Sequence, residues 1–137
     1  MKIEEHEKAY EEHKKNIERA IEQGIEENQR NIGFNASQGS VELFSILLHK
    51  LHVIQGSGDQ FDHRVFKSPN LIKQKLPFDF PSKNKILELM KKIEDERIAL
   101  CYGSRKPVSR INEALRNFNE LRELINRELR GGKNGKK

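Results

Sequence analysis

The chain has 137 residues, one domain's worth, with hydrophobic and charged residues at 34% each; that mix builds a single modest core under a heavily solvated surface. No run approaches the ~18 apolar residues of a membrane span, and the lone Cys101 excludes an internal disulfide framework and a Cys-rich zinc module. The net charge of +5 is uneven: −3 over residues 1–30, +2 over 31–103 and +6 over 104–137, so either the two ends attract each other or the C-terminal quarter attracts phosphate backbones. The opening Met1-Lys2-Ile3-Glu4-Glu5 is charged and lacks a signal-peptide apolar region. The expectation is a soluble cytoplasmic chain without a membrane partner.

Residues 2 to about 32 read as one long helix. They lack proline, and Tyr10, Ile17, Ile21 and Ile25 recur at helical spacing in a Glu/Lys-rich background. Gly33 is the natural stop. The early apolar positions are sparse, so the first turns project past the domain body or pack on a second subunit. Asn35 then caps a second helix, with Gln38 as its capping-box partner. Val41 to Leu48, extended by Leu51, Val53 and Ile54, is apolar on more than one face, the mark of a central helix. Ala36, Ser37, Gly39 and Ser40 at its start are small enough for another backbone to come close.

A Gly-Ser-Gly break at 56–58 opens the odd segment, 55–81, which holds Pro69, Pro77 and Pro81 and the aromatic-basic stretch Phe61 to Lys67. A structureless connection of that length is uncommon in a compact domain. It reads as one or two short helical turns, near 59–67 and 70–75, laid over one end of the molecule. Ser82 caps a third helix to about 102 along the stripe Ile86, Met90, Ile93, Arg97 and Leu100, and Tyr102-Gly103 ends it. Pro107 opens a fourth, running to about 130 through Val108, Ile111, Leu115, Phe118, Ile125 and Leu129. Residues 131–137 read as a disordered basic tail. The expected fold is all-α: a four-helix up-down bundle over 1–130 with a long ordered connection between helices two and three.

Arg97 is the most informative residue. Its register turns a guanidinium toward the interior, and arginine is seldom buried without a partner. Either its head reaches a carboxylate or a helix C-terminus, or it is presented at a cleft for phosphate, which its planar fork suits.

The stretch Glu96-Arg97-Ile98-Ala99-Leu100-Cys101-Tyr102-Gly103, near the end of the third long helix, resembles the signature region of the HEPN superfamily. Members carry an arginine followed, after four to six residues, by histidine. The resemblance implies a small helical bundle that dimerises with facing motifs. It acts either as a metal-independent ribonuclease of a toxin–antitoxin or defence-type module, or as a non-catalytic partner of a nucleotidyltransferase-like protein. A purely structural bundle is the remaining alternative. Arginine would stabilise the phosphate while histidine activates a ribose hydroxyl. Here Tyr102 stands where histidine is expected, and no histidine follows His63. With an unperturbed pKa of about 10, tyrosine is a poor base at pH 7. Five residues along a helix also place side chains about 140° apart, so Arg97 and Tyr102 converge only if the helix loosens at Tyr102-Gly103 or a second subunit supplies one of them.

The candidate catalytic set is therefore Arg97, Tyr102 and His63. Asp62 would orient His63, with Arg64, Lys67, Arg105 and Lys106 as further RNA-binding residues. His49, His52, Asp59, Asp62 and His63 are acceptable Zn²⁺ ligands by type, but histidines flanking apolar positions at a helix end are routinely solvent-facing or capping, and neither metal nor cofactor is expected. Cys101 follows the buried stripe and reads as a small core filler. Arg110, Arg116, Arg122, Arg127 and Arg130 fall on no single stripe and give only diffuse attraction to polyanions.

Overall fold

The computed structural model describes residues 2–54 and 61–134, with side chains through 131. The elements run α1 (Ile3–Gln23), α2 (Gln29–Lys50), a 3₁₀ turn (His63–Lys67), α3 (Pro69–Lys75), α4 (Lys83–Cys101) and α5 (Val108–Asn134). The protein is all-α, with no strand among the described residues. The Gly56-Ser57-Gly58 break, Asp59 and residues 135–137 lie outside the described residues.

The first long helix is two. Gly24 takes φ +123°, a conformation open to glycine and costly for other residues. Its N–H closes α1 on the Ala20 carbonyl, and Asn28 Nδ2 donates to the Gly24 carbonyl at 2.8 Å. The start of α1 does not project. Ile3 packs against the core, and His6, 3% exposed, meets Glu42 Oε1 at 2.6 Å and the His49 ring at 5.3 Å. The sparse apolar pattern misled because a buried histidine supplies the contact.

α2 begins well before Asn35. Gly33 lies inside it and packs on α4: a Cβ there would sit 2.8 Å from Leu100 Cβ. Asn35 is also internal, its amide donating to the Asn31 carbonyl and its Oδ1 meeting His13 Nδ1 at 2.8 Å. The small residues do admit a neighbour, since a Cβ on Gly39 would meet His13 Cβ at 3.2 Å. Buried Ser40 and Ser45 satisfy their hydroxyls on the Ala36 and Val41 carbonyls one turn back. Tertiary packing thus makes a helix of a segment with poor intrinsic propensity. α2 packs on α1, α4, α5 and the 3₁₀ turn.

Residues 61–81 are tied down by aromatics. Phe61, Phe66 and Phe80 each place a ring edge-on to buried Phe44 of α2, with centroids 5.3–5.8 Å apart. Asp62 caps the 3₁₀ turn by accepting from the Arg64 N–H, and Ser68 caps α3 by accepting from the Leu71 N–H. Ser82, read as the cap of α4, takes φ +60° and instead donates to Glu128 of α5 at 2.5 Å.

α4 ends where the sequence indicated. Tyr102 is extended and Gly103 takes φ +91°. Buried Gln29 clamps this connection: its Nε2 donates to the Leu100 carbonyl at 3.0 Å, and its Oε1 accepts from the Lys106 N–H at 2.7 Å. The Pro107 carbonyl receives the first N–H bonds of α5. The helix runs on to Asn134, so residues 131–134, expected to be disordered, are helical.

Candidate functional site

His63 reaches a buried carboxylate that sequence reasoning did not select, and Arg97 is connected to it through the hydroxyl of Ser37. Glu94, one turn before Arg97 on α4, is 3% exposed. Its Oε2 accepts from His63 Nδ1 at 2.7 Å and its Oε1 from the Ser37 hydroxyl at 3.1 Å. A carboxylate needs such partners to be tolerated inside. Because a carboxylate accepts, Nδ1 of His63 carries the proton, and in the neutral ring Nε2 is the bare nitrogen. That Nε2 lies 3.9 Å from Asp62 Oδ1, beyond hydrogen-bond reach.

The residue expected to orient His63 is therefore replaced by Glu94. Asp62 is committed to Arg64, whose Nε and Nη2 reach its two oxygens at 3.0 and 2.8 Å. That guanidinium, with the Arg64 N–H, holds the Asp62 carboxyl well below the ordinary carboxylate range.

Among the described residues the Arg97 guanidinium reaches no carboxylate and no helix C-terminus. Nη1 donates to Gln38 Oε1 at 2.9 Å and, at 3.4 Å, to the same Ser37 hydroxyl that donates to Glu94. The guanidinium carbon stands 5.0 Å from the centroid of the Phe34 ring. Among the described residues no carboxylate lies within ion-pair distance of Arg97, so its charge is positioned by uncharged partners.

The other candidates lie apart from this cluster. Tyr102 is 63% exposed and, among the described residues, has no hydrogen bond or cation–π contact with Arg97, although the helix does loosen there. Lys67 pairs with Asp95 at 3.5 Å. Arg105 donates to the Glu26 carbonyl, and Lys106 contributes its backbone to the Gln29 clamp. Cys101 is half-buried, its Sγ 3.5 Å from the Arg30 carbonyl. Burial pushes its thiol above the ordinary value, against the opposing pull of Arg97 and Arg30. Among the described residues no three His, Cys, Asp or Glu side chains gather as metal ligands.

Sequence reasoning missed Glu94, Ser37, Gln38 and Phe34. The available signal for Glu94 was its place beside Ile93 on the interior side of the helix, one turn before Arg97. Comparison with family models, curated proteins and solved structures finds no match to this chain.

Proposed function

We propose that this is a HEPN-like RNA-associated protein whose phosphate-binding residue is Arg97 and whose proton acceptor is His63. The four long helices would then form two antiparallel hairpins in an up-down bundle, acting in the cytoplasm as a homodimer. The observation that carries the reading is the half-buried guanidinium of Arg97. It is held in place by Gln38, Ser37 and Phe34 with no carboxylate within ion-pair distance among the described residues, and the Ser37 hydroxyl links it through Glu94 to a histidine. A preorganised cation of this kind suits a phosphate oxygen.

In this reading Arg97 holds the scissile phosphate and the bare Nε2 of His63 takes the proton of the attacking ribose hydroxyl. Glu94 fixes the ring and stabilises the imidazolium that results. No step calls for a metal ion. His63 stands in for the histidine missing at Tyr102. The exposure of Tyr102 favours a second reading, a non-catalytic partner of a nucleotidyltransferase-like protein that presents an accessible hydroxyl.

The test is RNA binding and cleavage in EDTA by the wild type, Arg97→Ala and His63→Ala. Arg97→Ala is expected to weaken RNA binding by about 10- to 100-fold, the value of a hydrogen bond to a charged group, and His63→Ala to abolish cleavage while sparing binding. A folded Arg97→Ala that binds and cuts like the wild type would refute the assignment. A clean 16 kDa monomer in sedimentation would remove the dimer.

A further inference from the structure

The connections from α1 to α2 and from α4 to α5 meet at one end of the molecule and enclose a cavity of about 460 Å³, within the size range of small-molecule sites. Arg97 and His63 do not line it. Among the described residues that do, none has an aromatic or aliphatic side chain. Its inner wall is fixed. Gln29, 5% exposed, donates to the Leu100 and Ser104 carbonyls and accepts from the Lys106 N–H. Asn28 donates to the Gly24 carbonyl and accepts from the Asn31 amide.

Two arginines brace the gap in opposite senses. Arg30 Nη1 donates to the Cys101 carbonyl at 2.5 Å, and Arg105 Nη1 donates to the Glu26 carbonyl. A carbonyl accepts a hydrogen bond but cancels no charge, and a guanidinium carries five N–H donors. Each fork therefore keeps its charge and has donors to spare. Among the described residues neither has a carboxylate within ion-pair distance. Glu27 is the acid of the lining; its carboxylate lies over Gly24, where a Cβ would stand 3.1 Å from both oxygens.

We propose that this cavity binds a small sugar phosphate, its phosphate between Arg30 and Arg105 and its hydroxyls on Asn28, Asn31, Ser104 and Glu27. Two cations against one acid favour an anion, and a guanidinium fork matches the oxygens of a phosphate monoester. The volume exceeds what a bare phosphate ion fills, so the ligand carries more than its anion. Carboxamides and a hydroxyl set donors beside acceptors, which answers a sugar. A nucleobase would find no apolar face to stack on. The assignment is independent of the RNA reading above.

The experiment titrates the full chain by calorimetry with glucose 6-phosphate, ribose 5-phosphate, glucose and inorganic phosphate. One of the sugar phosphates is expected to bind with a Kd of about 1 mM or tighter, in keeping with its size, at least about tenfold more tightly than inorganic phosphate, with glucose silent. Arg30→Gln and Arg105→Gln should each weaken that binding by about 10- to 100-fold, the value of a hydrogen bond to a charged group. Arg127→Gln, the same change of charge near the other end of α5, should leave it unaltered. Amide NMR shifts of the wild type should move at residues 27–31 and 103–105, a readout that needs no variant to fold. Silence from both sugar phosphates, shifts confined to other residues, or unchanged affinity in folded Arg30→Gln and Arg105→Gln would overturn the site. Equal affinity for inorganic phosphate would overturn the sugar.

Discussion

Replacing Gly33 by alanine tests how closely α2 must approach α4. In an open helix the substitution stabilises by about 1 kcal/mol, because alanine loses less backbone entropy than glycine. At Gly33 the new Cβ would lie 2.8 Å from Leu100 Cβ and 3.3 Å from Cys101 Sγ. Leu100 Cβ is bonded directly to the α4 backbone, so no rotamer change relieves the clash and the two helices must part. Overpacking of this kind costs about 1–3 kcal/mol, so the helix gain is offset and a net loss of up to about 2 kcal/mol remains. At this chain length each kcal/mol moves Tm by about 3–4 °C, giving a fall of up to about 8 °C in a circular-dichroism melt.

Gly131→Ala is the internal control. Nothing lies within 4 Å of a Cβ built there, so the same chemical change should leave Tm unchanged or raise it slightly. The opposite signs are the point of the comparison. If Gly33→Ala raised Tm as the control does, the tight α2–α4 approach would be wrong, and with it the geometry that lets Arg97 reach Gln38 and Ser37.

Two further outcomes follow from the packing around the same helix end. Gln29→Ala strips the partner from the Leu100 carbonyl and the Lys106 N–H, and should reduce urea stability by about 2 kcal/mol at unchanged m-value; a loss below about 0.5 kcal/mol would mean that the clamp is not needed to hold the α4–α5 connection. Because burial raises the Cys101 thiol above its ordinary value, little thiolate is present at pH 7. Iodoacetamide labelling of the native protein should then be slower than in urea and should climb only past pH 9, whereas rapid native labelling at pH 7 would contradict the buried setting.

The helical periodicity of the chain carried the four long elements, the end of α4 at Tyr102 and Gly103, and the two short turns between Phe61 and Leu76. The failures have a common physical source. Gly24 and Gly33 are both glycines in helical surroundings, and only the neighbours decide which one breaks the helix: Gly24 adopts φ +123°, while Gly33 is where α4 presses closest. Asn35, Gln38 and Ser82 are good caps by composition, yet their side chains are spent on His13, Arg97 and Glu128. The same holds at the site. Arg97 and His63 stood out by type and register, whereas Glu94 is one of many glutamates until its partners are known. A buried polar residue is defined by what it touches, and a single sequence does not supply that.

The way α2 is used has a consequence for how the molecule tolerates change. It is a spine, with α1 on one flank, α4 and α5 on others, and the 3₁₀ turn across it. Phe34, Ser37 and Gln38, which hold Arg97 and Glu94, lie on the same length of helix as Phe44, Leu47 and Leu48, which anchor the core. Recognition and cohesion therefore draw on one element. A substitution at buried Ser37 that retunes the site also loosens the spine, so adjustments that leave the core intact come from the exposed and half-buried rim, through Phe34, Arg97 or Ile98. The freedom to vary lies in that rim and not along the buried face of the spine.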